Sequence, residues 1–288
     1  MTLAVQSVEP DALAAGQGLR IGVFDSGLGG LSVLQAVRTR LPAADTIYVA
    51  DSGYAPYGER DDAFVANRAE SISGFLLERR ADVIVVACNT ATAAAVHRLR
   101  ERWPHLPVVG VEPGVKPAVA HSRAGRVGVL ATPLTLSSPK FKALLDAHGQ
   151  DARVVLQPCP GLAREIERGQ LDSPALRDLV ERFAAPLREQ QVDTVVLGCT
   201  HYPFVRPLFE SALGPQVAII DTADAVARHT ARLGAKVLQA RAGSPPKAGH
   251  ADVTTGLAEL WSSADPSHLS QVARQWLGLN AEAGALPV

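Results

Sequence analysis

Two cysteines occupy matching places in the sequence, each directly after a short apolar run. Cys88 lies in DVIVVACNTAT (82–92) and Cys199 lies in DTVVLGCTHYP (193–203), and both runs are typical of buried strands. Where a strand leads into a helix, backbone N–H groups favour a thiolate, so we expect them to lower the pKa of each thiol. A single buried cysteine is more often inert, but the pair indicates two thiols that act as bases.

Two matched thiols suit a reaction at one carbon atom that is approached from both faces. Inverting a stereocentre by proton transfer requires a base on one face and an acid on the other, and the two groups exchange roles in the reverse direction. If the two segments belong to similar halves that face each other, Cys88 and Cys199 lie on opposite sides of one cleft. The sequence therefore predicts proton transfer between two thiols.

Other polar side chains directly follow apolar runs. Asp25 and Ser26 open the turn DSGLGG (25–30), whose spacing matches neither the dinucleotide nor the P-loop fingerprint. A carboxylate there suits an ammonium group better than a phosphate, and the glycines are explained by a tight turn from strand to helix. His201, two residues after Cys199, either tunes that thiol or is an ordinary structural histidine.

The third cysteine differs from the other two. Cys159 precedes Pro160 and Gly161 and has no counterpart in a second segment, so we predict a structural role for it. The three cysteines form no CxxC pair, which argues against a disulfide framework and a zinc ribbon. The segment SGYAPYGER (52–60) is either a substrate-facing loop or a plain one.

The elements that must position these residues alternate along the chain between short β-rich runs and longer amphipathic stretches, which predicts an α/β fold with mostly parallel sheets flanked by helices. The predicted strands are 20–24, 47–50, 83–87, 108–111, 126–130, 153–157, 194–198 and 217–220. The predicted helices are 31–41, 61–80, 138–148, 173–190 and 224–240. DVTTG (252–256) and HLSQVARQWLG (268–278) predict one more strand and helix, which we expect to pack back on the first half.

An internal repeat organises these elements. RIGVFDSG (20–27) resembles RVGVLATP (126–133), and the two cysteine segments resemble each other. We therefore predict two similar domains related by a pseudo-twofold axis, with the active site in the cleft between them. The predicted boundaries are a flexible N-terminal tail at 1–19, a first domain of 20–114 plus 225–288, and a second domain of 115–224.

Bulk composition limits the class of partner. The 288 residues favour about two domains, and a formal net charge of −1 gives no excess that would recommend nucleic acid or a membrane surface. No apolar run approaches the roughly 18 residues that span a bilayer, and the N-terminal residues lack a secretory signal pattern. We expect a soluble, cytoplasmic protein with a small-molecule ligand.

Four segments, DSGLGG, PYGER, ACNTAT and GCTHYP, resemble in their order and spacing the signature segments of the glutamate racemase family, within the aspartate/glutamate racemase superfamily. The resemblance runs from about residue 20 to about residue 280. It implies interconversion of L-glutamate and D-glutamate with no cofactor and no metal. It also implies a supply of D-glutamate for peptidoglycan, a cytoplasmic location and a homodimer.

The resemblance also assigns roles to individual residues. The two bases of the family fall on Cys88 and Cys199, which serve D-glutamate and L-glutamate respectively. Asp25 and His201 match the residues that assist the thiols, and Glu167 aligns with an auxiliary acid. The substrate contacts of the family fall on Asp25, Ser26, Tyr57, Gly58, Asn89, Thr90, Thr200 and His201.

Several alternatives stay open at this point. One is a racemase for aspartate or hydantoins, or a decarboxylase of malonates that uses a single thiol. A cysteine hydrolase with Cys199 as nucleophile and His201 as base leaves Cys88 without a function. A non-enzymatic alternative is a metal-binding or small-ligand-binding protein that uses these three side chains together.

Overall fold

The computed structural model describes residues 16–242 and 255–288, and these contain two parallel sheets. The strands are β1 Arg20–Asp25, β2 Asp45–Ala50, β3 Val83–Val86, β4 Val108–Gly110, β5 Arg126–Ala131, β6 Arg153–Pro158, β7 Thr194–Leu197, β8 Ala218–Ile220, β9 Ala258–Ser262 and β10 Ala283–Ala285. A six-stranded sheet has the order β10-β9-β2-β1-β3-β4, and a four-stranded sheet has the order β6-β5-β7-β8. Every described strand pair is parallel, which confirms the predicted α/β class.

Helices connect the strands and cover both sheets. They are α1 Leu31–Arg40, α2 Asp62–Glu78, α3 Asn89–Arg102, α4 Val115–His121, α5 Pro133–Ser137, α6 Pro139–His148, α7 Leu162–Glu167, α8 Pro174–Glu189, α9 Arg206–Leu213, α10 Ala223–Ala242 and α11 Pro266–Leu277. Three short 3₁₀ segments lie at Ser52–Tyr54, Tyr57–Glu59 and Tyr202–Val205. No helix in the described ranges is both long and apolar enough to cross a membrane.

The predicted elements match the structure except near the C-terminus. All eight predicted strands and the five predicted helices are present. Of the strand predicted at 252–256, residues 252–254 lie outside the described residues, and the strand that follows starts only at Ala258. The predicted last helix is α11, and β9 pairs with β2, so this segment does pack back on the first half. The edge strand β10 was not predicted, because its sequence AGA has no β-branched residue.

The sequence repeat is a repeat of topology. The strand order β2-β1-β3-β4 in one sheet matches β6-β5-β7-β8 in the other, with β1 equivalent to β5 and β3 to β7. Gly22 in β1 and Gly128 in β5 occupy equivalent positions, and each lies against the helix that covers its strand. A Cβ atom added to either glycine would lie 3.0 Å from a leucine methyl group, of Leu76 or Leu187, on the helix that covers the strand. Both sheets thus let a helix approach closely at the same point.

Helices cover both faces of each sheet, as parallel strands require, although the edge strand β6 stays partly exposed. On the six-stranded sheet α1, α10 and α11 cover one face and α2 and α3 the other. On the four-stranded sheet α7, α8 and α9 cover one face and α4 and α6 the other. This arrangement supports the division into 20–114 plus 225–288 and 115–224, which we retain as a proposal. Of the predicted tail, residues 1–15 lie outside the described residues, whereas Leu19 is buried in the core.

Two aspartates fix the starts of the strands that lead to the cysteines. Asp82 precedes β3, and its carboxylate accepts the N–H of Arg20 at 2.9 Å. Asp193 precedes β7 and accepts the Ser122 hydroxyl at 2.5 Å and the N–H groups of Arg123 and Ala124 at 2.8 and 2.7 Å. Burial raises the pKa of Asp193, but these three donors lower it more, and its net pKa is below the ordinary value.

We expect Asp193→Ala to lower the free energy of unfolding at pH 7 by about 1–2 kcal/mol, a modest loss because the side chain is only half-buried. A group with a depressed folded pKa stabilises the fold above its unfolded pKa, so the difference from wild type should shrink as pH falls below about 4. Urea unfolding of both proteins at several pH values measures this difference in the free energy of unfolding. The exposed Asp151→Ala is the control and should change stability by less than about 0.5 kcal/mol. A difference that is independent of pH would contradict this account.

Candidate active site

A cavity of about 350 Å³ lies where the carboxyl ends of the two sheets face each other. Residues that follow β1, β2 and β3 line one side, and residues that follow β5, β6 and β7 line the other. Its wall contains most of the predicted site residues: Ser26, Tyr57, Gly58, Cys88, Asn89, Thr90, Glu167, Cys199, Thr200 and His201. The predicted cleft between the two halves is therefore present, and it brings these residues together.

Cys88 is held at the N-terminal end of α3. Its Sγ accepts the N–H of Ala91 at 3.5 Å and lies 3.7 Å from Oγ of Ser26. Burial raises the pKa of the thiol, and the carboxylate of Asp25 raises it further, whereas Ala91 and Ser26 lower it by less. The N–H group at the helix N-terminus does lower this pKa, as predicted, but it does not offset burial beside a carboxylate, so the expected net lowering is wrong. These surroundings favour the protonated thiol.

Asp25 lies behind the cavity wall and is fully buried. Its carboxylate accepts the N–H of Gly30 at 2.6 Å and the hydroxyl of Ser26 at 3.4 Å. The hydroxyl oxygen of Thr200, which follows β7 of the other sheet, lies 3.5 Å from Oδ2 of Asp25. Burial is the main reason that the pKa of Asp25 is raised, with Glu167 adding to it and His201 opposing it. Asp25 thus reaches Cys88 through Ser26.

Cys199 is set in a different local structure from the one expected. After β7 the chain makes a turn at Thr200–His201 and a 3₁₀ segment, and α9 begins only at Arg206, so no α-helix N-terminus meets the thiol. The partner of Cys199 is instead His201, whose Nδ1 lies 3.6 Å from Sγ. Nε2 of His201 is hydrogen-bonded to Oε1 of Glu167. The structure therefore joins Cys199, His201 and Glu167 in one hydrogen-bonded series, with His201 in the middle.

The charge of this series follows from its contacts. Burial lowers the pKa of His201, but hydrogen bonds to Cys199 and Glu167 raise it more, and the net pKa is well above the ordinary value. An imidazolium has two N–H donors, one for the sulfur and one for the carboxylate. The two thiols therefore differ in their surroundings, since Cys88 lies beside the carboxylate of Asp25 and Cys199 lies beside the imidazolium of His201.

The glycines of DSGLGG give these groups room. A Cβ atom on Gly27 would overlap the carboxylate of Glu167, and one on Gly29 would overlap the imidazole of His201. Neither glycine has a positive φ. The tight turn that the sequence suggested is therefore not what requires them, because any residue could adopt their backbone conformation. They are needed for the close approach of the other half of the molecule.

The remaining predicted contacts lie around the same cavity. Tyr57 is buried, and its hydroxyl donates to Asp51 at 2.5 Å, which fixes the ring. Gly58 lies next to Thr132 of the other half, since an added Cβ atom would be 3.6 Å from the Cβ of Thr132, and both line the cavity. Oδ1 of Asn89 is buried and has no hydrogen-bond partner among the described residues. A buried acceptor of this kind needs a donor, and a ligand in the cavity can provide one.

Sequence reasoning missed part of the cavity wall. Glu59 and Arg164 line the cavity from opposite halves, and the guanidinium lies 2.7 Å from both carboxylate oxygens. Nothing in the sequence indicates that they meet, since they are 105 positions apart. Cys159 also lines the cavity, but its Sγ donates to the carbonyl of Gln157 at 3.4 Å and burial raises its pKa. Cys159 is therefore a protonated thiol that is hydrogen-bonded to the backbone.

The described residues contain no group of three or more His, Cys, Asp or Glu side chains arranged to hold a metal ion. Of the set that the metal-binding alternative requires, Cys88 and His201 have partners outside it. Those partners are Ser26 and Ala91 for Cys88, and Glu167 for His201.

Known proteins share the sequence and the fold. A family model for Asp/Glu/Hydantoin racemases matches residues 22–230. The glutamate racemase of Pseudomonas aeruginosa is 48% identical over 271 residues, which cover 93% of this chain and 97% of that protein. The solved glutamate racemase isoform RacE1 of Bacillus anthracis has a TM-score of 0.79 at 31% identity and covers 94% of this chain and 98% of its own.

The Escherichia coli glutamate racemase, solved in complex with L-glutamate and the activator UDP-MurNAc-Ala, also has a TM-score of 0.79 at 31% identity. The similarity covers 93% of this chain and 98% of that one. Taken with the paired thiols at the carboxyl ends of two equivalent strands, these matches show that the chain belongs to the Asp/Glu/Hydantoin racemase family.

Proposed function

We propose that the protein interconverts L-glutamate and D-glutamate by proton transfer between the α-carbon and two thiols. The observation that carries this proposal is that Cys88 and Cys199 follow equivalent strands, β3 and β7, and line one cavity from its two sides. Relatives that match over almost the whole chain are glutamate racemases, which supports glutamate over aspartate or a hydantoin as the substrate.

In the direction from L-glutamate to D-glutamate, the two thiols act one after the other. Cys199, as the thiolate beside the His201 imidazolium, takes the α-proton of L-glutamate, and the electron pair of the C–H bond stays on the α-carbon. The Cys88 thiol then gives its proton to the opposite face, which yields D-glutamate. Cys199 is left as a thiol and Cys88 as a thiolate, which is the state that D-glutamate needs. The reverse reaction follows the same steps backwards.

The polar groups of the cavity suit a substrate with one ammonium and two carboxylates. We propose that hydroxyl groups and the N–H groups at the start of α3 bind the carboxylates. The unpartnered Oδ1 of Asn89 accepts from the ammonium, and the Asp25 carboxylate attracts it. The residues proposed to contact the substrate are Ser26, Tyr57, Gly58, Asn89, Thr90, Thr200 and His201, whereas Asp25, predicted as a contact from the sequence, lies behind the cavity wall and acts from there.

Each thiol has its own assisting group in this proposal. Asp25, through Ser26, helps Cys88 to lose and regain its proton. His201 holds the negative charge of Cys199, and Glu167 holds the imidazolium in place. Family membership further supports a reaction without a cofactor, a cytoplasmic location, a homodimer and the supply of D-glutamate for peptidoglycan.

The proposal is tested by incubating the protein with L-glutamate in heavy water. We expect D-glutamate that carries deuterium at the α-carbon, because the Cys88 thiol exchanges with solvent before it donates. The remaining L-glutamate should stay largely unlabelled early in the reaction. Chiral chromatography with mass detection measures both. If no D-glutamate forms, the proposed function is wrong, and parallel incubations with L-aspartate and hydantoins test the alternatives.

Replacing each cysteine separates the two catalytic thiols from the third. Cys88→Ala and Cys199→Ala should each lower racemisation by about 10²–10⁴-fold in both directions, because each removes the proton relay of one face. Cys159→Ala is the matched control in the same cavity wall and should stay within a few-fold of wild type. A Cys88→Ala variant that retains most of its activity would show that Cys88 is merely a buried thiol.

The glycine turn provides a separate test of the Cys199 side. Gly29→Ala should lower kcat on the order of 10²-fold, since the added Cβ displaces the His201 imidazole from the thiol. Gly74→Ala is the control: its Cβ would meet nothing within 4 Å, and in a helix the change should stabilise the fold by about 1 kcal/mol. Steady-state racemisation and thermal unfolding of both variants measure this. Normal activity of Gly29→Ala would contradict the assigned contact.

A further inference from the structure

The helix α11 reaches from the six-stranded sheet to the backbone of Glu167. Nε2 of His268 lies 2.9 Å from the carbonyl oxygen of Glu167. A carbonyl oxygen only accepts, so Nε2 of His268 carries the hydrogen and donates it. The two residues are 101 positions apart, and the bond joins α11 to the end of α7.

This carbonyl is one that the helix itself does not satisfy. The last four carbonyl groups of an α-helix have no helical donor, and α7 contains only six residues. The N–H of Arg168 bonds to the carbonyl of Glu165 at 3.2 Å, and the N–H of Gly169 bonds to that of Ile166 at 2.9 Å. The next carbonyl is that of Glu167, and the imidazole of His268 supplies its donor. This hydrogen bond fixes the backbone at Glu167, and with it the point from which the Glu167 side chain extends.

The position of that side chain is closely defined at its other end. Oε1 of Glu167 accepts the N–H of Leu28 at 2.6 Å and is hydrogen-bonded to Nε2 of His201. The carboxylate also fills the space that Gly27 leaves free. A small shift of the Glu167 backbone would therefore lengthen the contact with His201, and through it change the contact with Cys199.

Helix α11 also packs against the segment that carries His201. The ring of Trp276 lies 4.3 Å, centroid to centroid, from that of Phe204, which belongs to the 3₁₀ segment directly after His201. At the end of α7, a Cβ atom on Gly169 would lie 3.5 Å from Val272. One face of α11 thus contacts both the segment that carries Glu167 and the segment that carries His201.

We propose that His268 is a positioning residue for proton transfer at Cys199, acting through the backbone of Glu167. This inference rests on the proposed function. The Cys88 side is assembled differently, from Asp25 and Ser26 in the turn after β1. Loss of the His268 hydrogen bond should therefore affect one face of the substrate.

Two substitutions distinguish the hydrogen bond from mere packing. His268→Leu removes the donor and keeps an apolar side chain, whereas His268→Gln places an amide N–H near the position of Nε2. We expect His268→Leu to lower kcat/KM by about 2- to 10-fold, as the loss of one hydrogen bond would. We expect His268→Gln to remain close to wild type.

The face of the substrate is identified by isotope effects. The equilibrium constant of a racemisation is one, so kcat/KM must fall equally in both directions and cannot show which face is affected. The α-deuterium isotope effect can, because Cys199 breaks the C–H bond of L-glutamate and Cys88 that of D-glutamate. In His268→Leu the isotope effect should rise with L-glutamate relative to D-glutamate. Equal changes for both enantiomers, or wild-type kinetics, would overturn the proposal.

A substrate-independent measurement separates this inference from the proposed function. The groups that face His201 are Cys199, Glu167 and Asp25, and looser contact with Glu167 should lower the pKa of His201. Titration of the His201 ring by NMR should show this fall in His268→Leu and not in His268→Gln. If wild type fails to racemise glutamate while the pKa falls, only the proposed function is wrong. An unchanged pKa would refute the positioning role whatever the substrate.

Discussion

The buried series from Cys199 through His201 to Glu167 is the interaction on which the rest of the site depends. A buried imidazolium is costly unless both of its N–H groups are paired with acceptors that carry or share negative charge. The sulfur and the carboxylate meet that need from two different segments, one after β7 and one at the end of α7. Glycines 27 and 29 make space for these groups, and the N–H of Leu28 adds a further donor to the carboxylate.

The two halves share a topology but not a chemistry. Cys88 and Cys199 follow equivalent strands, yet one is next to Ser26 and Asp25 and the other is next to His201. Burial and the Asp25 carboxylate raise the pKa of the first thiol, whereas the charged neighbour of the second is an imidazolium. Two-thiol proton transfer needs one proton on the pair at the start of each turnover. The two thiols thus carry out the same proton transfer in different surroundings.

The site is complete only when both sheets are in contact. Ser32 of α1 donates its hydroxyl to the carbonyl of Thr200 at 2.9 Å, Leu28 donates to Glu167, and Arg164 pairs with Glu59. Each of these contacts joins one half to the other. A single half has one thiol and one side of the cavity, so a shift between the halves alters both faces of a bound substrate at once.

Local sequence was enough to predict most of the strands, six of the eleven described helices, the repeat and the two paired cysteines. Each of these depends on one continuous segment, either through the spacing of its apolar residues or through the position of a polar residue at the end of a strand. The edge strand β10 was missed because it forms by pairing with β9 and has no strand-forming residues of its own.

Only the tertiary structure decided the charges and the close contacts. The raised pKa of Cys88, the role of Gly27 and Gly29, and the contact of His268 with Glu167 all involve groups that are distant in sequence. Leu28 and Glu167 are 139 positions apart. Burial and Coulomb interactions act through space, so no local pattern records them. The sequence by itself determined which residues could do chemistry, and folding determined which charged groups lie beside each of them.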